Sequence, residues 1–362
     1  MRFIKIGGLL ALVAFGLAFP FLFPNQELTS ISIYTLLFAA AATAWNFFSG
    51  YTGYISLGHG AFYGIGAYTM ALGCKYWHIP GGYIPFLLVP LAGILAGLAA
   101  FPLGWIALKT NRQVFVLVTL ALLYITQVCA YNFSFTQGSG GIYLPVADWD
   151  PDFFNLPFYY TAFALVVIAV GIAWWMRRSK FGLGLLAIRD DEERALSLGI
   201  KTEWLKQAAY VLSAIVVGMV GAVSIYYVAA INPPTAFAPV FDVTIALMTI
   251  LGGAGTIFGP LLGAVIMEPL QQYITLQYGD IIGLDLVIFG VLLLAIILLL
   301  PEGIIPTVQR LWYFWRSSRK NKNKADLVRL PEETDGTSFA SFASQRRATG
   351  LQESEQGQTP ST

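Results

Sequence analysis

The sequence is poor in charged residues, and this excludes an ordinary soluble protein. Of its 362 residues, only 11% are Asp, Glu, Lys or Arg, whereas 57% are hydrophobic. A soluble domain carries roughly 25% charged residues, because polar side chains must cover its core. The apolar residues must therefore face lipid, and the sequence predicts an integral membrane protein. The net charge of +1 gives no reason to propose a nucleic-acid partner.

Residues that carry chemistry are also scarce. The chain has two cysteines, Cys74 and Cys129, and two histidines, His59 and His78. The cysteines form neither a metal-binding spacing nor a disulfide framework typical of secreted proteins. No Walker A loop, HExxH sequence or GxSxG sequence occurs. We therefore predict that the protein is not an enzyme, with no catalytic residue, metal site or cofactor in this chain.

What the sequence does contain is a series of long apolar runs. Most approach the ~20 residues that a helix needs to cross a bilayer, and their continuity argues against a β-barrel. The fold class predicted is all-α, a polytopic membrane helix bundle of roughly 8–10 transmembrane segments. We interpret the first run as an uncleaved span, because it exceeds the ~7–15 apolar residues of a signal peptide. The runs cover residues 4–23, 29–48, 54–74, 83–107, 113–131, 158–176, 207–230, 239–251, 257–267 and 282–300.

The distribution of positive charge predicts the orientation, because short cytoplasmic loops are enriched in Lys and Arg. If the N-terminus is cytoplasmic and each run crosses once, only Lys75 among the 21 Lys and Arg lies outside. Both termini are then cytoplasmic. The runs 239–251 and 257–267 are short, and they form either two tilted helices joined by a cytoplasmic turn or a re-entrant hairpin. Either arrangement keeps the basic C-terminal region inside.

The chain is predicted to have two parts. Residues 1–310 form a transmembrane domain with a cytoplasmic loop at about 177–207, and residues 311–362 form a cytoplasmic tail. The tail is rich in Ser, Gln, Glu, Arg and Lys, a composition typical of disorder. Its purpose is left open.

Two glycine-rich stretches stand out, Gly50 to Tyr68 and Gly252 to Pro260. Small residues let membrane helices approach closely, and they also permit helix breaks beside a polar cavity. The stretches lie roughly two hundred residues apart in matching orientation, which suggests a parallel internal repeat whose breaks meet near the bilayer centre. They define a translocation path that comprises Gly53, Ser56, Gly58, His59, Gly60, Gly64, Gly252, Gly253 and Gly255.

Polar residues within the spans leave alternatives open. His59 is either a functional group at membrane depth or a hydrated residue near the cytoplasmic end. Glu268 is either intramembrane or caps the outer end of its segment. Charged residues otherwise appear nearly absent from the spans, which favours a neutral or zwitterionic solute over an ion-coupled pump.

The loop at about 177–207 contains a short helix with clear boundaries. Asp190 and Asp191 supply an N-terminal cap and favourable charge against the helix dipole, and Gly199 provides a stop signal. Four consecutive acidic residues follow Arg189. Anionic lipid headgroups would repel them, so the sequence favours docking on a cytoplasmic protein over an interfacial helix.

Three blocks of this sequence resemble the permease subunits of branched-chain amino acid ABC importers, specifically the LivM-like member. They are GYTGYISLGHGAFYGIGAY at 50–68, LAIRDDEERALSLGI at 186–200 and LGGAGTIFGPLLG at 251–263. Permeases of ABC importers contact their ATPases through a loop with the pattern Glu-Ala-Ala-x-x-x-Gly. Glu193, Arg194, Ala195 and Gly199 match it here, with Arg194 at an Ala position. The coupling residues that the resemblance implies are Arg189, Asp190, Asp191, Glu192, Glu193, Arg194, Ala195 and Gly199.

The resemblance implies a bacterial inner-membrane permease with several partners: a LivH-like permease, two cytoplasmic ATPase subunits that bind the ATP, and an extracytoplasmic solute-binding protein. The predicted function is ATP-driven import of branched-chain or other neutral amino acids. A permease of the same family for urea or short amides is an alternative. An ATP-independent channel or secondary transporter is the alternative from another class.

Overall fold

The computed structural model describes residues 14, 16–22, 25–146, 149–150, 153–278, 287, 290–291, 303–308 and 310. The chain divides into two units, 1–308 and 309–362, and every element below belongs to the first. The described part of that unit is almost entirely helical, so the predicted all-α membrane bundle is confirmed. Of the predicted first span, residues 14 and 16–22 are described and helical. The run 282–300 lies mostly outside the described residues, and the predicted tail lies wholly outside them.

Eight longer helices build the described bundle, with three shorter ones between them. They are α1 Gln26–Trp45, α2 His59–Tyr76, α3 Leu88–Ala107, α4 Arg112–Asn132, α5 Asn155–Arg178, α6 Lys180–Asp190, α7 Glu192–Ser197, α8 Thr202–Val228, α9 Pro233–Ala236, α10 Pro239–Gly252 and α11 Gly259–Tyr278. α1 continues as a π-helix, Asn46–Gly50. Within the described residues, six segments are long and apolar enough to cross a membrane: Gln26–Gly50, Ile84–Ala107, Arg112–Asn132, Asn155–Arg178, Thr202–Val228 and Pro233–Gly252.

α8 is the central helix of the bundle. In its most apolar stretch 72% of the residues are buried, compared with 22% in α4. α8 packs against α2 and α3, while α1 packs against α5 and α11. Glycines make the closest of these contacts possible, because a Cβ at Gly66 of α2 would collide with the backbone of Gly218 in α8. Because only 22% of its most apolar stretch is buried, α4 lies at the edge of the described bundle, with most of one face uncovered.

Two short helices close one end of the bundle, which we call the basic end because Arg112, Arg177 and Lys180 lie there with α6 and α7. Ser179 caps α6 by accepting from the Gly182 N–H, and Asp191 caps α7 by accepting from the Arg194 N–H. The loop thus contains two short helices where the sequence predicted one. Asp190 ends α6 and does not cap α7, contrary to prediction.

The opposite end of the bundle is held by a small antiparallel pair, β1 Ile142–Tyr143 and β2 Ala230–Ile231, with Ile142 opposite Ile231. This pair joins the loop after α4 to the chain that leaves α8. The segment from 229 to 252 then returns to the basic end, and Pro233–Gly252 is long enough to span. α11 leads away again over 20 residues. Residues 239–267 form two helices joined by a turn at the basic end, a feature that both predicted arrangements share.

Candidate functional site

Break 1, residues 53–58, connects α1 to α2 through non-helical backbone. The apolar run at 54–74 predicted helix here, but α2 begins only at His59. Buried backbone needs hydrogen-bond partners, and side chains supply them. The Leu57 N–H donates to Thr119 Oγ1 at 3.1 Å, and the Trp45 Nε1–H donates to the Ser56 carbonyl at 2.9 Å. Break 1 is therefore a built feature of the bundle, held by α1 and α4.

His59, the first residue of α2, is fully buried. Its Nε2 lies 2.9 Å from Ser213 Oγ, and its Nδ1 lies 3.1 Å from Ser56 Oγ. Ser213 already donates to the Tyr210 carbonyl, so its oxygen is left to accept from His59 Nε2–H. His59 thus ties break 1 to α8 through its two ring nitrogens.

The position of His59 also decides between the two predicted depths. Ser213 lies ~16 Å along α8 from its first residue, Thr202, at ~1.5 Å per residue. His59 is therefore level with the middle of α8 and is not a hydrated residue at the basic end.

The N-terminus of α2 is capped by a carboxylate from another helix. Both oxygens of Asp242, in the first turn of α10, accept from the Gly60 N–H at 3.0 and 3.1 Å. The carboxyl group is fully buried, and its oxygens face the positive end of the α2 dipole. Sequence reasoning did not single out this residue. The contact fixes the start of α2 against α10.

Glu268 is a second buried acid, 1% exposed, in the interior of α11. Its Oε1 accepts from Gln272 Nε2 at 3.0 Å. It is therefore inside the bundle and does not cap the end of its helix, which resolves the two predicted alternatives. With Asp242, it is one of two buried acidic residues in the described bundle.

Most glycines of the predicted translocation path are contact points between elements of this chain. A Cβ at Gly58 would meet Thr119, at Gly60 it would meet Asp242, and at Gly64 it would meet Phe237. Gly252 packs against the backbone of Gly259 in the same way. Because neighbouring atoms fill the space beside these glycines, they determine how closely the helices approach. Their assignment to the path stays a prediction.

Break 2, residues 253–258, connects α10 to α11 and contacts the end of α1. The Gly255 N–H donates to Asn46 Oδ1 at 2.7 Å, and Asn46 Nδ2 donates to the Thr256 carbonyl at 2.9 Å. One asparagine at the π-helical end of α1 thus bonds to an N–H group and to a carbonyl group of break 2. The two helix–break–helix units meet, as the predicted repeat suggested.

The end of α1, where break 1 begins, meets break 2 at the basic end. Arg189, in the last turn of α6, donates from Nη1 to the Gly50 carbonyl at 2.8 Å, where the π-helix ends. Gly255 lies so close that a Cβ there would collide with the same nitrogen. Arg177, at the end of α5, reaches the Gly255 carbonyl at 3.5 Å. Basic side chains thus contact both breaks.

A second connection links α7 to break 1 and α8. Glu192 accepts from Lys206 Nζ at 2.5 Å and from the Tyr54 hydroxyl at 2.6 Å. Burial by itself would raise the pKa of Glu192, but the hydrogen bonds from Lys206 and Tyr54 outweigh it and hold that pKa below its ordinary value. Glu192 is therefore an ionised acceptor that fastens the first residue of α7 to the bundle.

The predicted coupling residues divide into an anchored group and an exposed group. Glu192 and Ala195 face the bundle, and Asp191 caps α7 and pairs with Arg194. The exposed residues are Asp190, Glu193, Arg194 and Gly199, and Arg189 is exposed apart from its inward guanidinium contact. Gly199, at a φ of +79°, ends the segment as predicted.

Two leucines of the same surface, Leu196 and Leu198, were expected from the sequence to supply apolar contacts, and they are 61% and 81% exposed. Sequence reasoning missed Tyr54, Lys206 and Arg112 on the inner side. Arg112 Nη2 donates to the Ile188 carbonyl at 3.0 Å and so caps the end of α6. The leucines lie in the block 186–200, where their polar neighbours indicate exposure. Tyr54 and Arg112 are far from this block in the sequence, so no local pattern links them to it. Among the described residues, no group of three or more His, Cys, Asp or Glu could hold a metal ion.

The helix bundle and its paired breaks are those of a multi-pass membrane permease. Residues 27–297 match the family described as the branched-chain amino acid transport system permease component, and the chain belongs to this family. The predicted resemblance is thereby confirmed.

The relatives agree with this membership. LivM of Escherichia coli K12, a high-affinity branched-chain amino acid transport permease, is 26% identical over 325 residues, which cover 82% of this chain and 74% of LivM. LivH of the same organism is 25% identical over 294 residues, or 75% of this chain and 93% of LivH. The L-arabinose ABC transporter permease AraH of Azospirillum brasilense is 25% identical over 220 residues, or 57% and 61%. No solved structure matches this chain.

Proposed function

We propose that this chain is a transmembrane subunit of an ATP-driven importer for branched-chain or other neutral amino acids. It works with a LivH-like partner permease, two cytoplasmic ATPase subunits that bind the ATP, and an extracytoplasmic solute-binding protein. Membership of the branched-chain permease family supports the solute class. The relatives named LivM and LivH support a pair of different permeases. The basic end is the cytoplasmic side in this proposal.

The observation that carries the proposal is the outer surface of α7. Leu196 and Leu198 are strongly exposed beside the charged residues Glu193 and Arg194. The inner side of the same segment is anchored by Ala195 and Glu192. An apolar pair with a polar rim on a fixed support is typical of a protein-binding surface. This surface matches the position of the ATPase-contacting loop.

Transport requires movement of the segment formed by α6 and α7. ATP binding closes the ATPase pair, which displaces α6 and α7 relative to the membrane helices. Glu192 transmits the displacement to Lys206 at the start of α8, the central helix. The bundle then rocks between outward-facing and inward-facing states.

Solute passes between this chain and its partner permease. The uncovered face of α4, with Leu117, Tyr124 and Val128 exposed, borders that passage. Break 1 lies beside it, with Ile55 exposed and Leu57 bonded to α4 through Thr119. The predicted path glycines of break 1 support this wall from within.

Co-purification of the tagged permease with its ATPases tests the docking surface. Leu198→Glu should reduce the bound ATPase at least tenfold, because loss of one apolar anchor costs ~2 kcal/mol and ~1.4 kcal/mol is tenfold. Val146→Glu, at a 64% exposed apolar residue at the opposite end, is the matched control and should bind normally. Equal ATPase recovery with both variants would contradict the proposal.

Uptake by proteoliposomes that contain the full complex tests the transport class. Labelled leucine should accumulate only with internal ATP and binding protein. Competition by unlabelled urea or L-arabinose, but not by valine or isoleucine, would assign a different solute. Leucine entry that persists without ATP would instead indicate a channel or secondary transporter.

A further inference from the structure

The π-helical end of α1, which leads into break 1, and break 2 form a single junction at the basic end. Asn46 pairs with both the Gly255 N–H and the Thr256 carbonyl, so the end of α1 and the turn between α10 and α11 are joined side by side. Thr249 of α10 adds a hydrogen bond to the Ala42 carbonyl at 3.0 Å. A displacement of one break must therefore displace the other or break these bonds.

Arg189 lies on this junction from the side of α6. Its guanidinium donates to the Gly50 carbonyl and packs against Gly255, where any side chain would collide with it. Its aliphatic part lies beside Gly53, since a Cβ there would be 3.3 Å from Arg189 Cγ. The last carbonyls of a helix carry partial negative charge and lack intrahelical donors, so a cation is well matched to Gly50.

The backbone that carries Arg189 is itself fixed. Leu185 and Ile188 of α6 are fully buried, and Arg112 donates to the Ile188 carbonyl. Only Asp190 separates Arg189 from Asp191, the cap of α7. A push on the exposed surface of α7 therefore reaches Arg189 through a short connection of helix ends.

From this geometry we infer that Arg189 is the positioning residue that transmits movement of α6 and α7 to both helix breaks at once. It does not serve as an ATPase contact, although it belongs to the segment that docks the ATPase. The inference rests on the proposed function and assigns a division of labour within it. Glu193, Arg194, Leu196 and Leu198 bind the partner, and Arg189 carries the displacement inward.

The test uses the full complex in proteoliposomes, with ATP hydrolysis and solute uptake measured together. Arg189→Ala should leave the ATPase bound and its hydrolysis within about twofold of wild type, while solute imported per ATP falls about tenfold. Arg189→Lys keeps the charge but loses the planar fork, so it should fall between the two. Arg178→Ala is the control, because the Arg178 guanidinium packs over the Trp174 ring, 4.0 Å from its centroid, and not against a break. This variant should behave like wild type.

In a Cys129→Ala background, which removes the exposed native cysteine, a fluorescent label at Ile55→Cys reports movement of break 1 directly, because Ile55 is 46% exposed. ATP should change the emission in the wild-type and Arg178→Ala backgrounds but not with Arg189→Ala. If Arg189→Ala yields no folded complex, Arg189→Lys is read instead, with a reduced emission change expected.

Three results would overturn the inference. The first is a wild-type ratio of solute to ATP in both Arg189 variants, and the second is an unchanged emission response in them. The third is joint loss of ATPase binding and hydrolysis in a folded variant, which would make Arg189 a docking residue. Failure of the proposed function is distinguishable, since the wild-type complex itself would then show no ATP-dependent uptake.

Discussion

At the scale of single residues, the buried polar groups of this protein hold elements together. His59 joins break 1 to α8 through two serines, and Asp242 caps α2 from α10. Asn46 joins the end of α1 to break 2. Each group satisfies backbone or side-chain partners that lipid could not satisfy. These residues explain how a chain with so little charge maintains two helix interruptions inside its bundle.

The ion pair of Glu192 and Lys206 leads to a pH prediction. Since hydrogen bonds hold the pKa of Glu192 below its ordinary value of 4.5, its stabilising effect is present above that pH and is lost as the pH falls through the lower folded-state pKa. Glu192→Gln should therefore melt below wild type at neutral pH, and the gap should shrink in acid. Melting temperatures between about pH 3 and pH 7 measure this.

Glu193→Gln is the control for this experiment, because Glu193 is the exposed neighbour of Glu192. Its melting temperature should stay close to wild type throughout. A gap between Glu192→Gln and wild type that is the same at every pH would contradict the role assigned to the ionised carboxylate.

At the scale of helices, the contact between α2 and α8 depends on the absence of side chains. Gly66 meets the carbonyl of Gly218, and Gly221 meets the carbonyl of Tyr63, so each helix lacks a Cβ where the other approaches. Close approach of backbones is a main source of attraction between helices in lipid. The composition of the first glycine-rich stretch predicted such packing, but not which helix α2 would meet.

Gly66→Ala tests this contact. The added methyl group would overlap the α8 backbone, so we expect a loss of ~1–3 kcal/mol or a failure to fold. Gly171→Ala in α5 is the matched control, because a Cβ there meets nothing within 4 Å. It should leave stability unchanged or raise it by up to ~1 kcal/mol. Thermal unfolding in detergent compares the two, and equal melting temperatures would contradict the packing argument.

At the scale of the whole molecule, basic side chains are concentrated at the end where they contact the helix breaks. The residues that contact the breaks, Arg112, Arg177, Arg189 and Lys206, all lie at the basic end. Lys75 lies in the last turn of α2, towards the opposite end. The end proposed to bind the ATPase is therefore also the end predicted to be cytoplasmic.

Cysteine labelling in intact cells tests this orientation. In a Cys129→Ala background, Trp77→Cys lies at the opposite end and Glu203→Cys lies at the basic end, both at exposed residues. An impermeant maleimide should label Trp77→Cys from outside and Glu203→Cys only after permeabilisation. Cys74 is buried and should remain unlabelled. The reverse pattern would invert the topology.

The sequence by itself determined that this protein lies in a membrane, that it is helical, to which family it belongs and in which stretches its helices are interrupted. Those properties are local, because runs of apolar residues, glycine clusters and caps act through neighbours in the chain. The boundaries of break 1 were predicted less well, since an apolar composition alone does not distinguish helix from extended chain held by side chains.

Only the tertiary structure decided what the interruptions contact. Arg189 meets Gly50 across 139 positions of sequence, and Asn46 meets Gly255 across 209. The depth of His59 is set by its contact with Ser213 on a distant helix, and the capping role of Asp242 is set by Gly60. The physical reason is that hydrogen bonds and close packing inside a bundle depend on which faces of two helices meet and at what level along them. No local sequence pattern encodes this.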